Sequence, residues 1–305
     1  HDALPISLTF TLEPGTLTVT DGTNTVTHSG IEIETLLGGT VDDVFEMVNG
    51  VSYTGQLDGH TGTNTLDYDF YGSAITLDLD TGVSTGLTLA PLNVTDYIGS
   101  SLGGDSITGL TAGNTFTLTG VGTGDANGNI TFTAFENLNG SNTADDTFIV
   151  QDGAGVNGTL DGNGDGTNGD ELRFVGAAPV TVDLTTSSAT NINAFANLEI
   201  FTGGTGADTL VGTAGNDTFD ITADDAGTVA GVSFSSFENI DGGDGDDTFD
   251  LTDTFGLTGT VTGNNGADTI DYADYTTPIT VDLATDTATN IGGFATIEDI
   301  VGPDR

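Results

Sequence analysis

Apolar residues fall at every second position in short runs, and nowhere do they sustain a helical period. Ile279-Thr280-Val281-Asp282-Leu283 places Ile279, Val281 and Leu283 on one face of an extended segment. Ile75-Thr76-Leu77-Asp78-Leu79 and Val180-Thr181-Val182-Asp183-Leu184 carry the same pattern, at offsets of 105 and 99 residues. Runs rich in Thr, Val, Ile and Phe are separated by Gly/Asn/Asp clusters, so the pattern predicts short strands joined by tight turns throughout.

The landmarks recur over long distances. Phe135-Glu136-Asn137-Leu138 returns as Phe237-Glu238-Asn239-Ile240 at an offset of 102, and Ile33-Glu34-Thr35-Leu36 lies another 102 earlier. Asp-Asp-x-Phe occurs at Asp42, Asp145 and Asp246. Thr190-Asn191-Ile192 with Phe195 and Leu198 returns as Thr289-Asn290-Ile291 with Phe294 and Ile297. The chain therefore reads as nearly three copies of a unit of roughly 100 residues. The expected division is a partial first repeat over 7–66, repeats over 67–172 and 173–270, and a partial fourth over 271–305.

The fold class expected is all-β, a parallel β-solenoid built from about three repeats of ~100 residues. Turns of the form G-x-D-T-[IL] lead straight into strands, and no Asn-Gly couplet is flanked by two matched alternating runs. Each short strand cannot bury its own apolar face, but a stack of rungs ~4.8 Å apart can. Tandem β-sandwich domains are the alternative.

Composition narrows the function. Two cationic residues stand against 46 acids, a formal charge of -44. Nucleic acid and anionic membrane surfaces, which require cationic protein groups, are therefore poor partners. No apolar run approaches the ~20 residues of a membrane helix. Cysteine and lysine are both absent, which removes disulfides and Lys–Asn cross-links. His1-Asp2-Ala3-Leu4-Pro5-Ile6 is the translation of the end of a common sequencing adapter. Residues 1–6 are therefore read as non-biological, and the chain as a fragment of an environmental gene that begins in mid-protein.

Two kinds of turn point to a cation. Gly203 to Val211 satisfies G-G-x-G-x-D-x-U-x, where U is a large apolar residue, and Gly212 to Asp220 satisfies all but the second glycine. The motif returns at Gly242 to Asp250 and, with one glycine replaced, at Gly263 to Asp271. These nonapeptides resemble the calcium-binding repeats of RTX (repeats-in-toxin, hemolysin-type) proteins. The resemblance implies calcium at turns that include Gly203, Gly206, Asp208, Asp217, Gly242, Asp247 and Asp268. There is no uninterrupted nonapeptide array, so Gly and Asp also read as turn formers, since Asp accepts hydrogen bonds from its own turn. Asp208 and Asp217 are expected on opposite sides of the stack. Asp247 and Asp268, 21 residues apart, fit one rung of a wider solenoid. The second signal is Asp161-Gly-Asn163-Gly-Asp165-Gly166, the opening of a D-x-[DN]-x-[DN]-G calcium loop. Thr167 would add a carbonyl. Position twelve is Leu172 rather than Glu, leaving Asp170 and Glu171 as substitutes.

Enzyme signals are weak. Gly82-Val83-Ser84-Thr85-Gly86 matches a nucleophile elbow, but that elbow needs a helix and none is predicted. A β-helix polysaccharide-degrading enzyme ranks third among the readings. From Ser7 onward the chain resembles the repeat regions of very large bacterial surface proteins. That resemblance implies an extracellular or cell-surface location and a non-enzymatic stalk segment of a calcium-binding adhesin. A self-assembling extracellular filament or surface-layer subunit is the alternative. The partners it implies are calcium ions, other copies of the chain end to end, and a cell-surface or polysaccharide ligand.

Overall fold

The structure, a computed structural model, describes residues 6–303 apart from residue 165. Every regular element among them is a β-strand, and the long ladders are parallel, so the β-solenoid expectation holds. The chain divides into two compact units, His1–Asp146 with Ala154–Thr167 and Thr147–Gly153 with Asn168–Arg305.

In the second unit each rung places one strand in each of two sheets. The first sheet stacks Thr209–Val211, Asn239–Asp241, Leu257–Thr262 and Ile291–Ala295, with Leu210, Ile240, Val261 and Phe294 in register. The second stacks Thr218–Ala223, Thr248–Leu251, Thr269–Asp271 and Asp299–Val301, with Phe219, Phe249, Ile270 and Ile300 in register. Alternation does the sorting: in Thr-Leu-Val and Thr-Phe-Asp only the middle residue points inward. Leu210, Phe219, Ile240, Phe249, Val261 and Ile270 are all buried, each contributing about 1.5–3 kcal/mol of apolar burial. Phe219 and Phe249 stack face to face with ring centroids 5.1 Å apart.

The first unit repeats the scheme. Phe45, Leu66, Tyr97 and Phe132 form one inward column, and Leu77, Ile107, Leu138 and Leu160 the other. Rung length is not constant. Ile240 to Val261 spans 21 residues and Leu210 to Ile240 spans 30. The longer rungs hold their extra residues in antiparallel excursions. Thr218–Ala223 turns back through Ala226–Val229 before Val232–Ser235 rejoins the parallel ladder.

One such excursion corrects the expectation that no Asn-Gly hairpin is present. Asn127-Gly128 joins Thr123–Ala126 to Ile130–Thr133, with φ of 57° and 64° at the two turn residues, the backbone of a type I′ turn. The alternation is hidden because its inward positions are Gly124 and Ala126, small residues that carry no hydrophobic signal. A Cβ on Gly124 would strike the Thr117 carbonyl of the neighbouring strand.

Candidate functional site

Most inter-sheet turns end in Asp or Asn followed by Thr or Ser and an inward apolar residue; after Asp43 and Asp170 the middle residue is Val44 or Glu171. These acids are buried: Asp43, Asp105, Asp146, Asp208, Asp247 and Asp268 are at most 1% exposed. A buried carboxylate must be hydrogen-bonded or otherwise compensated. Asp208 Oδ2 accepts from the Gly204 N–H of its own turn at 2.6 Å, and Oδ1 from Val180 N–H of the preceding rung at 2.9 Å. Asp105 does the same with Ser100 at 2.5 Å and Ile75 at 2.6 Å, and Asp43 with Gly39 and Leu8, both at 2.6 Å. The Asp of the repeat motif is therefore a tie between rungs. Asp208 and Asp217 precede strands of different sheets, as the sequence suggested. The strands after Asp247 and Asp268 pair directly, one rung apart.

Phe-Glu-Asn is a repeat landmark in the sequence, and Glu199 and Glu298 stand in Leu-Glu-Ile and Ile-Glu-Asp. In the structure these Glu and the landmark's Asn complete the ladder. Glu238 Oε2 accepts Asp208 N–H at 2.7 Å, and Glu136, Glu199 and Glu298 accept Asp105, Asp170 and Asp268 N–H, each at 2.9 Å. Asn239 Nδ2 donates to the Asp208 carbonyl at 3.1 Å while its Oδ1 accepts Thr260 N–H at 3.0 Å, spanning three rungs. The signal that pointed to this role was the recurrence of an acid at a fixed place in an otherwise apolar turn.

Glycine is required where these turns interlock. A Cβ on Gly203 would collide with the Ser236 carbonyl, and one on Gly206 would lie 2.9 Å from the Ala177 carbonyl. On Gly242 it would collide with Asp247 Oδ2.

Two turns break the pattern. Asp247 Oδ1 accepts Asp217 N–H at 2.8 Å and Asp268 Oδ1 accepts Asp247 N–H at 2.9 Å, but Oδ2 of each is buried without a hydrogen-bond partner. The reason is local. Gly243 and Asn264 take φ of 97° and 69°, and their N–H groups are held elsewhere, by Asp241 Oδ1 at 3.1 Å and Thr296 Oγ1 at 2.7 Å. The matching turn of the first unit has the same backbone, with His60 at φ 62° and its N–H on Asp58 Oδ1 at 2.9 Å. There the buried side chain is Asn64, whose Nδ2 donates to the Asn93 carbonyl at 2.8 Å. Where Asn64 supplies a donor, Asp268 presents an oxygen, and a Cβ on Gly263 would collide with that oxygen and with the Thr296 carbonyl. Burial, with the charges of Asp268, Asp217 and Asp241 nearby, pushes the Asp247 carboxyl up to about 6.

Outside these two turns an open groove of about 550 Å³ is lined by Asp183, Asp241, Asp244, Asn264, Asn265 and Thr296 among others. Asn264 Nδ2 donates to Asp241 Oδ1, and Asn265 Nδ2 to Asp244 Oδ1 at 2.8 Å. Among the described residues, no three His, Asp or Glu side chains form a metal-holding group.

The Asp161 loop is held by hydrogen bonds within itself and to the turn at Gly140. Asp161 Oδ1 accepts Asn163 N–H at 2.9 Å, and Asn163 Nδ2 donates to the Gly140 carbonyl at 2.9 Å. Asp165 lies outside the described residues. Thr167 is exposed and closes the first unit, whereas Asp170 and Glu171 belong to the second. Glu171 holds Arg173 through two hydrogen bonds of 3.0 and 2.6 Å and accepts Thr202 Oγ1 at 2.7 Å. Ser84, the elbow serine, is 3% exposed and its Oγ lies 2.6 Å from the Tyr68 hydroxyl.

No protein-family model matches this chain, and no curated protein sequence matches it.

Proposed function

We propose that the chain is a non-enzymatic structural segment of a secreted bacterial surface adhesin, stabilised by calcium. The observation that carries the calcium reading is the pair of buried, unpartnered oxygens, Asp247 Oδ2 and Asp268 Oδ2. An anionic oxygen buried without a donor is costly, and a cation removes that cost. Hard cations such as calcium take six to eight oxygens from carboxylates, carbonyls and amides. Asp247 Oδ2 beside the Gly263 carbonyl, and Asp268 Oδ2 beside the Thr296 carbonyl, offer oxygens of that kind at two successive turns. Bound there, calcium would supply charge neutralisation and cross-link successive rungs. The other two Asp residues of the nonapeptides have both oxygens engaged, Asp208 by its own turn and the preceding rung and Asp217 by Thr213 of its own turn, which supports a structural role for that part of the motif.

Calorimetry in EDTA and in millimolar calcium tests the reading. Calcium is expected to raise the melting temperature, by about 2.7 kcal/mol of stability at 100-fold saturation of one site. Asp268→Asn, which copies Asn64, is expected to raise the melting temperature in EDTA and to shrink the calcium response. A wild-type protein indifferent to calcium sinks the calcium reading and leaves the structural one.

A second reading, self-assembly into a filament or surface layer, is favoured by the edges of Val281–Asp282 and Asp299–Val301, which take no further parallel partner among the described residues. Electron microscopy of purified material separates it from a monomeric segment.

A further inference from the structure

The segment Ile279–Leu283 has two counterparts in the same chain, and all three share one local fold. Thr76, Thr181 and Thr280 N–H each donate at 2.8 Å to the hydroxyl of a Thr nine residues on, Thr85, Thr190 and Thr289. Those three Thr return an N–H to the carbonyl of the first, at 2.9–3.0 Å. The local conformation is therefore complete in each copy, and what differs is the neighbour.

In the first two copies a further rung lies alongside. Thr76–Asp78 pairs in parallel with Ser106–Thr108, and Thr181–Asp183 with Thr209–Val211. Three contacts recur. Ile75 and Val180 N–H donate to Asp105 and Asp208 Oδ1 at 2.6 and 2.9 Å. Ser106 and Thr209 N–H return to the Ile75 and Val180 carbonyls at 3.0 and 2.9 Å. Leu79 and Leu184 N–H donate to the Thr108 and Val211 carbonyls at 2.9 and 3.0 Å.

In the third copy, among the described residues, Val281–Asp282 pairs only with the antiparallel Thr287–Ala288, and Asp299–Val301 only with Thr269–Asp271. Burial follows. Leu77 and Val182 are 1% and 0% exposed, whereas Val281 is half-buried. Phe201 is fully buried and its counterpart Ile300 half-buried. Leu283 is 76% exposed where Leu79 and Leu184 are half-buried.

We propose that this face of the second unit docks one further solenoid rung bearing a G-x-x-x-D-[ST]-[IL] turn. Its Asp accepts the Ile279 N–H, its first strand pairs in parallel with Val281–Asp282 and accepts the Leu283 N–H, and the counterpart of Val232–Ser235, which pairs with Ile200–Thr202 in the preceding copy, pairs in parallel with Asp299–Val301. The occupant is thereby specified by chemistry: a carboxylate at the turn, two short parallel strands, and inward apolar residues to cover Val281, Leu283 and Ile300. Unpaired parallel edges with half-exposed apolar columns are templates for strand addition. The proposal rests on the structural-segment reading and not on calcium, so loss of the calcium effect leaves it standing.

The test is a full chain in which a second copy of residues 204–241 follows Gly302 directly, keeping the 99-residue register of the repeat. Amide hydrogen exchange is read at Ile279 and Leu283. Docking predicts exchange at both at least tenfold slower than in the unextended chain. A second extended chain carries Ala in place of the copied Asp208; it should lose protection at Ile279 and keep it at Leu283. Unchanged exchange at both amides in the first extended chain overturns the proposal. So does sedimentation that shows the unextended chain dimerising in a manner abolished by Leu283→Asp, because the occupant is then a second copy.

Discussion

A glutamate that reaches back to a backbone amide is the smallest unit of this fold's cohesion. Glu238 accepts the N–H of Asp208, and Asp208 in turn holds Val180 and Gly204, so one side chain conditions three turns. Removing it strands a backbone donor beside a buried carboxylate. Glu238→Ala is expected to cost about 1–3 kcal/mol, read as a lower urea midpoint, whereas Glu238→Gln keeps an acceptor and costs less. Equal midpoints for wild type and Glu238→Ala would remove the Glu from the ladder. Apart from its recurrence at a fixed place, nothing in the sequence distinguishes this Glu from a solvated acid. Its carboxylate is positioned by a turn whose preceding residue, Ser236, adopts φ 58°, and residue type does not announce such a conformation.

At the scale of strands and turns much was legible. The alternation in Ile-Thr-Val-Asp-Leu gave the inward faces, and G-x-D-T-[IL] gave the turn-to-strand junctions. The antiparallel excursions were not legible, because Gly124 and Ala126 occupy inward positions where the pattern expects large residues. Gly259 shows how silent positions carry weight. A Cβ there would collide with Asn239 Oδ1 and lie 2.6 Å from the Glu238 carbonyl, both in the neighbouring rung. Gly158 meets Asn137 and Glu136 in the same way. Gly259→Ala is expected to destabilise by about 1–3 kcal/mol although alanine is a small change. Thermal melting checks it, and a neutral result would mean that the two rungs can part locally. The candidate cation position was only partly legible: the motif named Asp247 and Asp268, but what sets them apart is backbone geometry at Gly243 and Asn264.

At the scale of the whole molecule, a charge of -44 meets a core that contains carboxylates. Burial raises the carboxyls of Asp43, Asp67, Asp146, Asp241, Asp247 and Asp250 above their ordinary value of 3.8. A raised folded value means that the folded chain holds more protons than the unfolded chain between the two values. Stability is then lost as pH rises through that window. For Asp247 the window runs from 3.8 to about 6 and is worth on the order of 3 kcal/mol. In EDTA the melting temperature is therefore expected to be higher near pH 4.5 than at pH 7.5, with calcium narrowing the gap. A melting temperature that rises with pH in EDTA contradicts this assignment.

Rungs of 21 and 30 residues carry the same inward columns and the same turn ladder. Length is therefore a free variable of each coil, provided the surplus leaves and returns as an antiparallel loop. The excursions absorb most of the difference in rung length, while the turns vary less, from six residues at Gly203–Asp208 to nine at Gly162–Asp170. A lineage of such chains would diverge fastest in its excursions and slowest at its glycines. The excursions are also where a foreign peptide could be carried without cost to the coil.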